Sequence, residues 1–163
     1  MKDLRNQVLN ILNENARWTN LQIANVLGVA ERQVADIIEN LEKEGVVVKY
    51  SAIINTEAIE NKLVEALIEV KVIPQKLKGF DSYAEEIYNF PEVKSLYLMS
   101  GGFDLAILVC GKDIKDIATF ISEKLSVIDG ISSVQTHFIL KKYKIEGHIT
   151  KPSEEGKRQL FQA

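Results

Sequence analysis

Residues 93–110, VKSLYLMSGGFDLAILVC, place two apolar runs on either side of a Gly101-Gly102 pair. Adjacent glycines let both central positions of a short turn take φ > 0, so the segment predicts a tight β-hairpin with strands over 93–99 and 103–110. In the second run Leu105, Ile107 and Val109 point one way and Ala106, Leu108 and Cys110 the other, so both faces call for a dry environment. A small antiparallel sheet with such a strand needs helices on one face and a cover on the other. In a chain of 163 residues the simplest cover is a second copy of the chain.

Composition narrows the class. With 46% hydrophobic and 26% charged residues the chain is globular, which excludes global disorder, collagen and coiled coil. No apolar run reaches the roughly 20 residues that cross a bilayer, and the opening MKDLRNQVLN lacks the apolar stretch of a secretory signal, so a cytoplasmic protein without membrane attachment is expected. The single cysteine, Cys110, has no internal disulfide partner and reads as a small core hydrophobe. A net charge of −3 neither requires nor excludes nucleic acid, because binding depends on local patches.

The first fifty residues carry helical periodicity. Leu4, Val8, Ile11 and Leu12 predict a helix behind Asp3 as N-cap, ending near Asn15. A second helix opens at Thr19, carries Leu21, Ile23, Ala24 and Leu27, and stops at Gly28. A third carries Val34, Ile37, Ile38 and Leu41 and runs to Gly45 as its C-cap glycine. Small Ala24 allows a close approach and Gly28 sits in the turn, the spacing of a helix-turn-helix, whose second member enters a DNA major groove. Residues 46–54, VVVKYSAII, are β-branched and read as the extended wing of a winged version. Three short helices and a strand are also common in domains that bind no DNA.

Composition shifts at 55–62, a polar linker with one possible helical turn at 56–61. The second domain then spans 63–144. Its first strand, 63–73, ends at Pro74, with Val64, Ala66, Ile68, Val70 and Val72 on one face and Glu65, Leu67, Glu69 and Lys71 on the other. A helix over 80–90 presents Phe80, Tyr83, Ala84 and Ile87 inward. After the hairpin, Asp113 caps a helix whose stripe is Ile114, Ile117, Ala118, Ile121 and Leu125, closed by Asp129-Gly130. The fourth strand is expected over 134–141. This order is α+β, a ferredoxin-like βαββαβ sheet with both helices on one face. Leu67, the third-strand residues and Phe138 or Ile139 would line the bare face, predicting dimerisation. Residues 145–163 form a polar tail with at most a short terminal helix.

Three segments carry a family resemblance: LEKEGVV at 41–47, SGGFDLAILV at 100–109 and GISSVQTHFILKKYK at 130–144. With the order of winged helix-turn-helix and ferredoxin-like (RAM-type) domain, residues 3–144 resemble the Lrp/AsnC (feast/famine) family of transcriptional regulators. The resemblance implies a cytoplasmic protein that binds double-stranded DNA, pairs into homodimers, assembles to tetramers or octamers, and binds an amino acid or similar small metabolite between dimers. No cofactor is expected, and no Cys/His spacing suggests a metal site.

Carried over residue by residue, the resemblance places the effector on Ser100, Gly101, Gly102, Phe103 and Asp104, which match the family's Gly-x-aromatic-Asp segment, and on Thr136 and His137 in the last strand. An amino acid's ammonium wants a carboxylate such as Asp104, and its carboxylate wants free backbone N–H groups such as a glycine turn offers. Without the resemblance the glycines need only make the turn, with Asp104 a solvated strand-edge residue.

On the DNA-reading helix Arg32, Gln33, Asp36 and Asn40 are the candidate contacts, with Arg17, Lys49 and Arg5 as sources of backbone contacts. The helix is acidic, carrying Glu31, Asp36, Glu39, Glu42 and Glu44 against Arg32 and Lys43. Where the family has a Ser or Thr cap and a more basic middle, this chain has Ala30 and Ile37; losing the cap hydroxyl costs about 1 kcal/mol, and fewer cations mean a shallower salt dependence. Each of these charges also fits a solvated face. A second reading follows, a metabolite-binding oligomer whose degenerate helix-turn-helix meets a protein partner. Catalysis is not expected: relatives that resemble siroheme decarboxylases rely on histidine and arginine near the central hairpin, and residues 100–104 have neither, while His137 and His148 lie elsewhere.

Overall fold

The computed structural model describes residues 2–60, 62–73 and 79–150. The chain divides into two compact units, Met1–Ile54 and Asn55–Ala163.

The first unit packs α1 (Lys2–Glu14), α2 (Asn20–Leu27) and α3 (Glu31–Lys43) around Val8, Leu12, Ile23, Ala24 and Val34. Asp3 lies inside the first turn of α1 and is not its cap; a carboxylate there still favours the positive end of the helix. The start of α2 is specified locally by a capping box: Gln22 N–H donates to Thr19 Oγ1 at 3.2 Å and Thr19 N–H donates to Gln22 Oε1 at 2.9 Å. Gly28 ends α2 at φ 66. Helix α3 ends in a Schellman motif, with Gly45 left-handed at φ 68 and Val46 N–H donating to Leu41 O at 2.9 Å. Beyond it the expected wing strand is absent: residues 46–54 pair with no other strand among the described residues. Their β-branched composition suits an extended path, but a strand needs a ladder partner, and Val48 stays 88% exposed.

The second unit begins with a single 3₁₀ turn, Thr56–Ala58, and carries β1 (Val64–Val72), α4 (Phe80–Tyr88), β2 (Val93–Leu98), β3 (Leu105–Gly111), α5 (Ile114–Phe120) and β4 (Ile131–Phe138). The sheet order is β2-β3-β1-β4, antiparallel throughout, the ferredoxin-like arrangement expected. Alternation places Ala66, Ile68, Val70 and Val72 of β1 in the core with Leu105, Ile107 and Val109 of β3. Tyr83 and Ile87 from α4 and Ile117, Phe120 and Leu125 from the second helical segment cover that face. Phe90 meets Phe120 edge to face at 5.6 Å.

Several local expectations are corrected. The hairpin between β2 and β3 is not a two-residue turn: the strands end at Leu98 and Leu105, Met99 N–H still donates to Asp104 O at 2.8 Å, and residues 100–103 form the loop beyond that bond. Neither Gly101 nor Gly102 has positive φ. The longer loop needs no left-handed position, and Asp104 supplies its anchor. Helix α5 passes into a π turn, Ile121–Leu125, whose Ser126 N–H donates to Ile121 O at 2.8 Å. Within α5 the buried side is Ile117 and Phe120, with Ile114 and Ala118 exposed; the extra residue of the π turn then shifts the stripe beyond it, so that Leu125 and Ile128 follow Phe120 into the core. Strand β4 starts at Ile131, three residues before the expected 134, because Val72 already pairs there across a bulge. Phe138 pairs with Ala66 and so shares the helix-covered face, whereas Ile139 lies beyond β4 and donates its N–H to Glu65 O at 2.9 Å. The third strand is fully dry on one face; on the other Ala106 is buried but Leu108 and Cys110 are half-buried.

Past β4 the chain forms a small hairpin, β5 (Lys144–Ile145) and β6 (His148–Ile149), turning at Gly147 with φ 83, where a loosely ordered polar tail is expected from 145. Thr150 pins it: its hydroxyl donates to Lys142 O and its N–H to Tyr143 O, while Asn55 Nδ2 donates to Thr150 O at 2.8 Å. The expectation of a terminal helix falls on 151–163, outside the described residues.

Candidate functional site

Two regions carry the candidate residues, one on each unit. On the first unit, burial of Val34 and Leu41, seven residues apart, fixes which side of α3 faces inward. At 3.6 residues per turn Arg32, Asp36, Glu39 and Lys43 lie on the opposite side, with Gln33 and Asn40 flanking them. All six are exposed.

The structure separates charges that are spent from charges that are free. Arg5 forms a two-pronged ion pair with Glu44, Nη1 to Oε1 at 3.0 Å and Nη2 to Oε2 at 2.6 Å, tying the first turn of α1 to the end of α3. The hydrogen bond holds the Glu44 carboxyl below its ordinary range and raises the Arg5 guanidinium. Arg5, offered above as a source of DNA-backbone contacts, is therefore committed internally. Lys43 Nζ sits 2.5 Å from Glu39, lowering that carboxyl in the same way. The Tyr50 hydroxyl donates to Glu42 Oε1 at 2.8 Å, and burial, then that bond, pushes the phenol up. Among the described residues no ion pair holds Arg17, Arg32 or Lys49.

Gln33 is also partly spent. At the start of α3 Ala30 offers no side-chain cap, and Gln33 Oε1 accepts the Ala30 N–H at 3.1 Å. This is half of the capping box that Thr19 and Gln22 complete on α2. The T-x-x-Q and A-x-x-Q spacings carried that signal in the sequence. The Arg5–Glu44 pair, 39 residues apart, had none.

On the second unit Ser100, Gly101 and Gly102 stand at the tip of the β2–β3 loop, and Phe103 and Asp104 are half-buried. Asp104 is fastened to the end of β1 at two points. Its N–H donates to Val70 O at 2.9 Å, and its Oδ2 accepts the Val72 N–H at 2.8 Å. That second bond serves the bulge between Lys71 and Val72, where β4 no longer pairs regularly. Ser132 Oγ donates to Lys71 O at 3.1 Å on the same bulge. Asp104 Oδ1 has no partner among the described residues.

Thr136 and His137 do not join this loop within one chain. Thr136 pairs with Ile68 and His137 with Leu67, on opposite faces of the sheet and on the order of 10–15 Å down β1 from the Asp104 anchor. His137 Nε2 lies 3.3 Å from Glu69 Oε1 on the face away from the helices. Sequence reasoning missed a cleft of about 270 Å³ between α4 and β2, walled by Phe80, Tyr88 and Leu98 with Asp81 and Lys94 at its polar side. None of the candidate effector residues lines it. Among the described residues no His, Cys, Asp and Glu group could hold a metal, and no helix is long and apolar enough to cross a membrane.

Comparison with known proteins covers both units. The Lrp/AsnC ligand binding domain model matches residues 65–149, and a winged helix-turn-helix DNA-binding model matches residues 1–48. The chain is 44% identical over 153 residues to the uncharacterized HTH-type transcriptional regulator YugG of Bacillus subtilis, covering 93% of this chain and 92% of the relative. It is 34% identical over 145 residues to the HTH-type transcriptional regulator LrpA of Pyrococcus abyssi, covering 88% of this chain and all of the relative. A Neisseria meningitidis transcriptional regulator, solved as its complex with L-methionine, shares the fold with a TM-score of 0.68 at 24% identity, covering 93% and 96% of the two chains. With a helix-turn-helix on its first unit and a ligand-binding α+β sheet on its second, this chain belongs to the Lrp/AsnC family of transcriptional regulators, which are not enzymes.

Proposed function

We propose that the chain binds specific double-stranded DNA sequences through α3 and responds to an amino acid or related small metabolite held at the 100–104 loop, working in the cytoplasm as a homodimer or a larger assembly of dimers. The observation that carries the effector half is the pair Gly101-Gly102. Neither has positive φ, and a Cβ at either would meet nothing within 4 Å. Folding of this chain therefore makes no demand for glycine there, while a ligand approaching the backbone would. Asp104 fits the same reading: one carboxylate oxygen fixes the loop and the other is free for an ammonium. The separation of Thr136 and His137 from the loop supports a site completed by a neighbouring copy. The Neisseria meningitidis regulator holds L-methionine in its own crystal structure, which makes amino acids the first class to try.

The test is a thermal-shift screen of the full chain against the twenty amino acids, repeated with Gly101→Ala, Asp104→Asn and Asp104→Ala. Gly101→Ala is expected to keep the unliganded melting temperature and lose most of the ligand-induced rise. Asp104→Asn keeps an acceptor for the Val72 N–H but loses the charge, so it too is expected to fold and not respond. Asp104→Ala strands that N–H and costs about 1–3 kcal/mol of stability as well. A full response in both Gly101→Ala and Asp104→Asn would move the effector elsewhere.

The acidic face of α3 favours a second reading, an oligomer acting through a protein partner: Glu31 and Asp36 stand exposed without ion pairs among the described residues. Gel-shift binding to the DNA upstream of its own gene, at two salt concentrations, separates the two. Specific binding that weakens with salt supports the first, and none at low salt supports the second.

A further inference from the structure

Of the acidic residues on α3 and at its C-cap, Glu31 opens the helix without an ion pair among the described residues, and three are held by the protein itself: Glu39 by Lys43, Glu42 by the Tyr50 hydroxyl and Glu44 by Arg5. Asp36 is not. It lies mid-helix on the outward ridge, exposed, one turn after Arg32 and one turn before Asn40, with no ion pair or hydrogen bond to its side chain among the described residues. Gln33, the other polar candidate near it, has its acceptor oxygen folded back on Ala30 N–H.

A free carboxylate at the centre of a groove-reading helix weakens binding to every phosphate near it unless it meets a donor. The major groove offers a carboxylate only two donors, the exocyclic amines of cytosine N4 and adenine N6. Adenine sets its N7 acceptor beside that amine, where its lone pair repels a second carboxylate oxygen. Cytosine sets a C–H there. Asp is also short, so its carboxylate reaches a base edge only where the helix lies close to the groove floor; Asp36 is the sixth residue of α3, in the N-terminal half from which a recognition helix of this kind contacts base edges. We infer that Asp36 is a specificity-determining residue, its carboxylate accepting from the N4 amine of a cytosine at the half-site position facing the middle of α3, while Arg32 and Asn40 contact the DNA one turn to either side. This rests on the DNA-binding reading above and names the base class it selects.

Binding-site selection from a randomised double-stranded pool tests it, using the full chain and its Asp36→Ala and Asp36→Asn variants, with affinities then measured on the winning site and its single-base changes. The expected wild-type result is one column per half-site fixed as cytosine, with roughly tenfold or greater discrimination against other bases there. Asp36→Ala should lose the preference in that column alone, and Asp36→Asn should move it toward adenine, the base an amide side chain pairs with. A base preference in every column unchanged by Asp36→Ala, with affinity raised uniformly for all sequences, would overturn the inference and reduce Asp36 to a repulsive charge. A wild-type chain that enriches no sequence at low salt would overturn the DNA-binding reading itself.

Discussion

Gly130 shows how one residue can be required by packing. It has φ 94, and a Cβ built on it would lie 2.2 Å from the Tyr83 hydroxyl, whose ring is fully buried beneath α4. Gly130→Ala is therefore expected to cost roughly 3–5 kcal/mol, combining left-handed strain with a clash against a ring that has nowhere to go. Chemical denaturation read by Tyr fluorescence or far-UV circular dichroism would measure it, and a loss under about 1 kcal/mol would show that Tyr83 can yield. The Asp129-Gly130 pair was legible in the sequence as a helix end; its clash partner, 47 positions earlier, was not. The same contrast holds for Asp104. Its residue type marked it, but the bond to Val72 N–H could not be read, because it depends on a bulge that breaks the regular pairing.

Among the elements, those whose ends are written in local chemistry were read correctly. Thr19 with Gln22, Gly28 and Gly45 place the boundaries of α2 and α3 within a residue or so. Elements whose identity depends on a partner were misread. Residues 46–54 have strand composition and no ladder among the described residues, and the buried stripe beyond Phe120 is displaced by a π turn that no periodicity predicts. The link between α1 and α3 through Arg5 and Glu44 makes a pH prediction. Folding lowers the Glu44 carboxyl from its ordinary 4.5, so the stabilisation is fully present above that value and is lost as pH falls through the lowered one. Arg5 stays charged throughout. The melting temperature of Glu44→Gln should lie below wild type at pH 7, with the gap closing as pH falls below 4.5. A gap that is unchanged at low pH would mean that the pair contributes through packing alone.

For the whole molecule, the order of its two units and the ferredoxin-like topology were both readable, because hydrophobic periodicity switches from helix to strand at the linker. The family came from resemblance, which the family matches bear out. The uncovered face of the sheet presents Leu67, Ala106, Leu108 and Cys110 in register, with Tyr97 beside them, 56% exposed. We expect that face to mate with a second copy. Leu108→Lys, at a half-buried position away from the helical core, should then turn the oligomer into a monomer in sedimentation while leaving the circular dichroism of the fold unchanged. An unchanged mass would place the pairing surface elsewhere.

The π turn at Ile121–Leu125 has a consequence for chain length. It holds one residue more than a regular helical turn, so Phe120 and Leu125, five positions apart, both reach the sheet. Deleting Ser122, which is exposed, would bring that interval to four and relax the segment into an ordinary helix with its anchors still aimed inward. Removing a residue from the preceding turn, between Ile117 and Phe120, would instead swing every later anchor by about 100°. The π turn can thus lose one of its exposed residues, Ser122 or Glu123, where the helical turn before it can lose none, a tolerance that deletion scanning with a solubility readout would expose.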